Sequence, residues 1–128
     1  MEKKETEKTL ILVVEDDPLL VKMYRTKFAS EGFSVLSADD GVKGLKLALE
    51  KEPKAIVLDI MMPKLSGIDM LQRLRADERG KNIVVVVLSN LSSEEESKRA
   101  RDLGVKEYLL KANYTPKEVV DKVKQYLK

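Results

Sequence analysis

Short runs of aliphatic and β-branched residues alternate along this chain with longer stretches whose apolar positions recur every three to four residues, and no internal repeat or low-complexity linker interrupts the alternation. The short runs have the length of strands and the long ones the period of helices. A β/α rhythm of this kind leads to an α/β architecture, a mostly parallel sheet with helices on both faces, because parallel neighbours need right-handed helical crossovers. The run IVVVVL at 83–88 is apolar at every position, as a strand covered on both faces should be. A length of 128 residues suits one domain, on a scale of about 150 residues each.

The pattern predicts strands at 10–14, 33–38, 55–58, 83–88 and 108–110. The first helix opens at Pro18 behind Asp17 as N-cap, turns Leu20, Met23, Tyr24 and Phe28 inward, and stops at Gly32. Asp39 and Asp40 offer caps for the second, which buries Val42, Leu45, Ala48 and Leu49 and ends before Pro53. Beyond a loop through Pro63, the third turns Ile68, Leu71 and Leu74 inward and closes near Gly80. Ser92 or Ser93, followed by Glu95 or Glu96, reads as a capping box for the fourth. That helix shows only Ala100 and Leu103 as apolar positions, carries Glu94/Lys98 and Glu95/Arg99 pairs, and is expected to be loosely held. Thr115, Pro116 and Glu118 open the last, whose apolar stripe is Val119, Val120, Val123, Tyr126 and Leu127. Residues 1–8 read as a solvated, charged lead-in to a domain over 9–128.

Composition narrows the chemistry. The chain has no Cys, His or Trp, which excludes disulfides, Cys/His zinc sites, a cysteine nucleophile and any histidine-based triad. Its 24 Lys and Arg against 22 Asp and Glu give a net charge of +2 with no basic stripe, so nucleic-acid or membrane binding by bulk charge is not expected. The apolar runs fall far short of the roughly 20 residues of a membrane helix, and the first residues lack the apolar segment of a secretory signal. A cytoplasmic protein is expected. The six glycines form neither a G-x-G-x-x-G nor a P-loop.

In open α/β sheets, ligands bind beyond the carboxyl ends of the strands. The residues that end the strands here are Glu15, Asp16 and Asp17, then Asp59, Ser89 and Lys111. Carboxylates gathered in one crevice repel unless a cation sits among them. A divalent ion with oxygen ligands answers that need, and Mg²⁺ uses one or two carboxylates while keeping sites for water and phosphate. An Asp beside a metal, a Lys and a hydroxyl has the parts for phosphoryl transfer. The carboxylate attacks phosphorus while the cations neutralise its equatorial oxygens.

These segments resemble the receiver domain of two-component response regulators. The matching stretches are LILVVEDD, LDIMMPKLSG with Asp59, Pro63 and Gly67 at the characteristic spacing, VVVVLSN and EYLLK. The resemblance implies a flavodoxin-like, doubly wound, five-stranded parallel sheet in the order 2-1-3-4-5 with five helices. It also implies phosphorylation of Asp59 by a phosphohistidine donor, either a sensor histidine kinase or a histidine phosphotransfer protein. Asp16 and Asp59 would bind Mg²⁺, or Mn²⁺ in its place, with the Met61 backbone carbonyl, and Glu15 would act through water. Ser89 and Lys111 would hold the phosphoryl group, and Tyr108 would be the aromatic switch. The output would be a downstream protein or an output domain outside this sequence, and the chain would not be a turnover enzyme.

Two positions depart from the family pattern, and two more bear on the rate of hydrolysis. Ala112 follows Lys111 where proline with a cis bond is usual, and a trans bond is expected because a non-proline cis bond costs about 2.5–4 kcal/mol. Asn90 is larger and more polar than the small residue usual there, and it stands on the path to Asp59. Met61 and Leu91, each two residues beyond a site residue, are apolar and cannot orient a water, so slow self-dephosphorylation is expected. Two other readings compete. An aspartyl-phosphate hydrolase of the haloacid-dehalogenase type needs a second Asp where Met61 stands, which disfavours it. A receiver-like interaction scaffold that takes no phosphate remains the alternative.

Overall fold

A computed structural model describes residues 8–90 and 93–127. Strands β1 (Leu10–Val14), β2 (Ser34–Ala38), β3 (Ala55–Asp59), β4 (Val84–Ser89) and β5 (Glu107–Leu110) alternate with helices α1 (Pro18–Ser30), α2 (Gly41–Lys51), α3 (Gly67–Ala76), α4 (Glu94–Asp102) and α5 (Pro116–Gln125). The strands form one parallel sheet in the order β2-β1-β3-β4-β5. This is the expected flavodoxin-like arrangement.

Because successive strand residues face opposite sides, the sheet separates two cores. Leu12, Val14, Ile56, Leu58, Val85 and Val87 pack with residues of α2, α3 and α4, while Ile11, Val13, Val57, Val86 and Leu88 pack with Tyr24 and Phe28 of α1 and Val119, Val120 and Val123 of α5. Both faces of β1, β3 and β4 are therefore covered, which explains their uninterrupted apolar runs.

The helix starts follow the expected capping chemistry. Asp17 accepts from Leu19 N at 2.9 Å, Asp40 from Lys43 N at 2.8 Å, and Ser93 from Glu96 N at 3.2 Å, a plain N-cap where a capping box was expected. Thr115 and Glu118 close a capping box. Ser92, the other candidate cap, and Leu91 lie outside the described residues, as do 1–7 of the expected lead-in.

Several expectations require correction. Met23 is 40% exposed, because Leu20, Tyr24 and Phe28 already form the inward stripe of α1. Val42 is 53% exposed, since α2 buries Gly41, Gly44 and Ala48. Ala48 is buried as expected, while the two glycines let the helix approach closely but give no hydrophobic signal. Helix α3 ends at Ala76, not near Gly80, where the Asp77 side chain accepts from Arg79 N at 2.9 Å and turns the backbone. The pairs on α4 are Lys98–Asp102 at 3.0 Å and Glu96–Arg99 at 3.9 Å, replacing the expected Glu94/Lys98 and Glu95/Arg99. Strands β2, β3, β4 and β5 each differ by one residue at one or both ends from the predicted spans.

Candidate functional site

Strand order reverses between β1 and β3, and their carboxyl ends bring together the acidic residues. Asp17 is occupied as the α1 cap, with its Oδ1 also 3.4 Å from Leu20 N. Glu15 and Asp59 are buried, whereas Asp16 is exposed. Carboxylate oxygens of Glu15, Asp16 and Asp59 all lie within 4.8 Å of one another.

Lys111 enters this cluster from the end of β5, at the start of a short 3-10 turn, Lys111–Asn113. Its Nζ lies 2.8 Å from Glu15 Oε1 and donates to Asp59 Oδ2 at 3.1 Å. The other Asp59 oxygen accepts from Met61 N at 3.1 Å, and Glu15 Oε2 accepts from Asp17 N at 3.1 Å. Burial pushes the Glu15 carboxyl up, reinforced by the Asp59 charge and opposed by Lys111 and the Asp17 N–H. Burial pulls the Lys111 ammonium down, but Glu15 and Asp59 outweigh it and hold it above its ordinary value.

The cluster fits a hard divalent cation. Its donors are all oxygen, they converge, and one ammonium faces three carboxylates. Glu15 Oε1 is buried and receives no well-formed hydrogen bond, relying on the Lys111 charge alone. Like charges about 4 Å apart repel by roughly 4 kcal/mol at an effective dielectric of 20, so a second cation relieves the site substantially.

A cavity of about 570 Å³ opens over these groups, lined by Asp16, Asp59, Met61, Asn90, Lys111 and Ala112 among others. Met61 is 61% exposed at its rim. Every described peptide bond is trans, that between Lys111 and Ala112 included. Ser89 is fully buried at the end of β4, opposite Leu110 in the register and outside the cavity lining. Tyr108 is outside the lining of this cavity and lines a groove with Ser93, Ser97, Lys98 and Arg101. Sequence reasoning placed the acidic residues and Lys111 together but missed that Lys111 pairs directly with Glu15, a contact that no local pattern signals.

Residues 11–124 match the sequence model of the response regulator receiver domain. The chain belongs to this family. Among curated relatives, it is 35% identical over 118 residues to the DNA-binding dual master transcriptional regulator RpaA of Synechocystis sp., covering 92% of this chain and 48% of that protein. The polar-differentiation response regulator DivK of Brucella ovis is 28% identical over 91% of this chain and 94% of its own length. The chain thus spans about half of RpaA and nearly all of DivK. The receiver domain of the Francisella response regulator 1452 superposes with a TM-score of 0.82 at 32% identity, covering 94% of this chain and 99% of that one. A CheY-like receiver domain protein of Methanospirillum hungatei shares the fold with a TM-score of 0.88 at 21% identity, covering 94% of each chain. Receiver domains are phosphorylation-dependent signalling modules, and the acidic cluster lies where this receiver's sheet order reverses.

Proposed function

We propose that this receiver, over residues 9–128 with 1–8 as a lead-in, takes a phosphoryl group onto Asp59 from a phosphohistidine on a histidine kinase or phosphotransfer protein. The observation that carries the reading is Lys111 Nζ held 3.1 Å from a buried Asp59 oxygen inside a cavity shared with Asp16. An Asp59 carboxylate oxygen forms the new P–O bond as the donor's P–N bond breaks, and the imidazole leaves with the electron pair. Lys111 supplies positive charge toward the transferred oxygens, and the Ser89 hydroxyl donates a hydrogen bond to one of them. Asp16, Asp59 and the Met61 backbone carbonyl would hold Mg²⁺ or Mn²⁺, with Glu15 acting through water. The metal, when bound, neutralises charge on the phosphoryl oxygens.

Phosphorylation then biases Ser89, Tyr108 and α4 between two arrangements and changes the surface offered to a downstream protein or output domain. The module is cytoplasmic and performs no turnover chemistry. No described helix is long and apolar enough to cross a membrane.

Incubation with acetyl phosphate and Mg²⁺, followed by intact mass, is expected to add one phosphoryl group to the parent chain and none to Asp59→Ala. A parent chain that gains no mass points instead to an unphosphorylated interaction scaffold.

A further inference from the structure

The loop at 60–66 carries Met61 and rests on the first turn of α2. Gly41, the first residue of α2, is buried against it. A Cβ there would stand 2.0 Å from the Leu65 carbonyl oxygen and 2.8 Å from Leu65 Cβ, so any larger residue must drive the loop and the helix apart. Asp40, the α2 cap, is also buried, and its Oδ2 lies 3.6 Å from Lys64 Nζ. Lys64 holds a left-handed φ of 69°, strained for a residue with a side chain. The loop closes on itself where Gly67 N donates to Ile60 O at 2.8 Å, and a Cβ at Gly67 would meet Asp59 O at 2.5 Å. This closure ties the segment that carries Leu65 to Ile60 and the end of β3, giving a route from Leu65 to the Met61 backbone. Yet neither Asp40 nor Gly41 lines the carboxylate cavity.

We propose that Gly41 is a positioning residue for the phosphoacceptor loop, seating the Met61 backbone against Asp59 so that Mg²⁺ binds. The close approach at Gly41 carries this effect, because Lys64 is well exposed and its ion pair contributes little. This inference rests on the assignment of Asp59 and Met61 made above.

Mg²⁺ titration calorimetry on the full chain tests it, with thermal unfolding measured alongside. Gly41→Ala is expected to weaken Mg²⁺ binding about 10- to 100-fold, the loss typical when support for metal ligands is disturbed. Gly44→Ala is the control in the same helix, since its Cβ would press on Val14 Cγ1 at 2.8 Å and Met70 Sδ at 3.1 Å, side chains of the core. It should lower Tm and leave Mg²⁺ affinity at the parent value. Equal Mg²⁺ affinities in the two variants would overturn the proposal. Should Gly41→Ala fail to fold, the double variant Gly41→Ala/Lys64→Gly gives the loop freedom to retreat. It is expected to fold with weakened Mg²⁺ binding while Lys64→Gly alone binds as the parent does, and parent-like affinity in the double variant overturns the proposal. A parent chain that binds no Mg²⁺ overturns the reading of the site itself, and this inference with it.

Discussion

Lys111 has two carboxylates within 3.1 Å and only 12% of its side chain exposed, so its removal has two distinguishable consequences. Lys111→Met leaves Glu15 and Asp59 buried without their cation, and breaking a buried pair costs about 3–5 kcal/mol. Urea unfolding at neutral pH in metal-free buffer should show that loss. Glu15→Gln should do the opposite. Burial raises the folded-state pKa of Glu15 above its ordinary 4.5, so its ionisation costs stability as pH rises through the folded value. The glutamine variant is expected to be more stable than the parent above that value and indistinguishable from it below 4.5; a gain that persists at low pH would refute the burial argument. Met61 bears on kinetics instead. Exposed at the cavity rim with no strong hydrogen-bonding group, it cannot orient an attacking water. The acyl phosphate on Asp59 should decay slowly, and Met61→Asn with Leu91→Glu should hasten decay; equal rates would remove the argument.

At the scale of elements, α4 is held unequally at its two ends. Arg75 of α3 sends its guanidinium into backbone carbonyls, donating to Leu103 O at 2.7 Å, Gly80 O at 2.9 Å and Ile83 O at 2.8 Å, with Gly104 O at 3.3 Å. One side chain thus ties the end of α3, the approach to β4 and the C-terminal end of α4. Among the described residues, the buried positions of α4 itself are Ser97 and Ala100, in line with its narrow apolar stripe. Arg75→Met strands several of these carbonyls, each unmet acceptor costing about 1–3 kcal/mol. Amide exchange should quicken around 103–105 while Asp59 still takes phosphate from acetyl phosphate. In the parent, a beryllofluoride phosphoryl mimic is expected to change exchange in the first turn of α4 more than near Leu103. A uniform response along the helix would count against the anchor.

At the scale of the whole molecule, the oxygen cluster joins β1 to β3 while Lys111 brings in β5, so cation binding reports on the assembled sheet. Mg²⁺ at 100 times its Kd should stabilise the fold by about 2.7 kcal/mol, seen as a rise in Tm over Na⁺ at equal ionic strength. Asp16→Asn should abolish the increment, and an unchanged increment would place the ion elsewhere. Strand and helix identities, the caps at Asp17 and Thr115, and the candidate acidic and lysine residues were legible from the residues alone, because periodicity and capping act over a few neighbouring positions. The sheet order came from resemblance, through motifs such as LILVVEDD and EYLLK. The inward face of α2 was legible at Leu45, Ala48 and Leu49 but not at Gly41 and Gly44, which pack by having no side chain. Nor were the Arg75 anchor, the seat of the 60–66 loop on α2, or the direct Lys111–Glu15 pair. Each joins segments distant in the chain, and such contacts exist only once the crossovers have folded them together. The sequence by itself determined which chemistry the strand ends could offer. Only the tertiary structure decided which charges meet, how deeply they are buried and what holds them in place, because those depend on distances that no local pattern encodes.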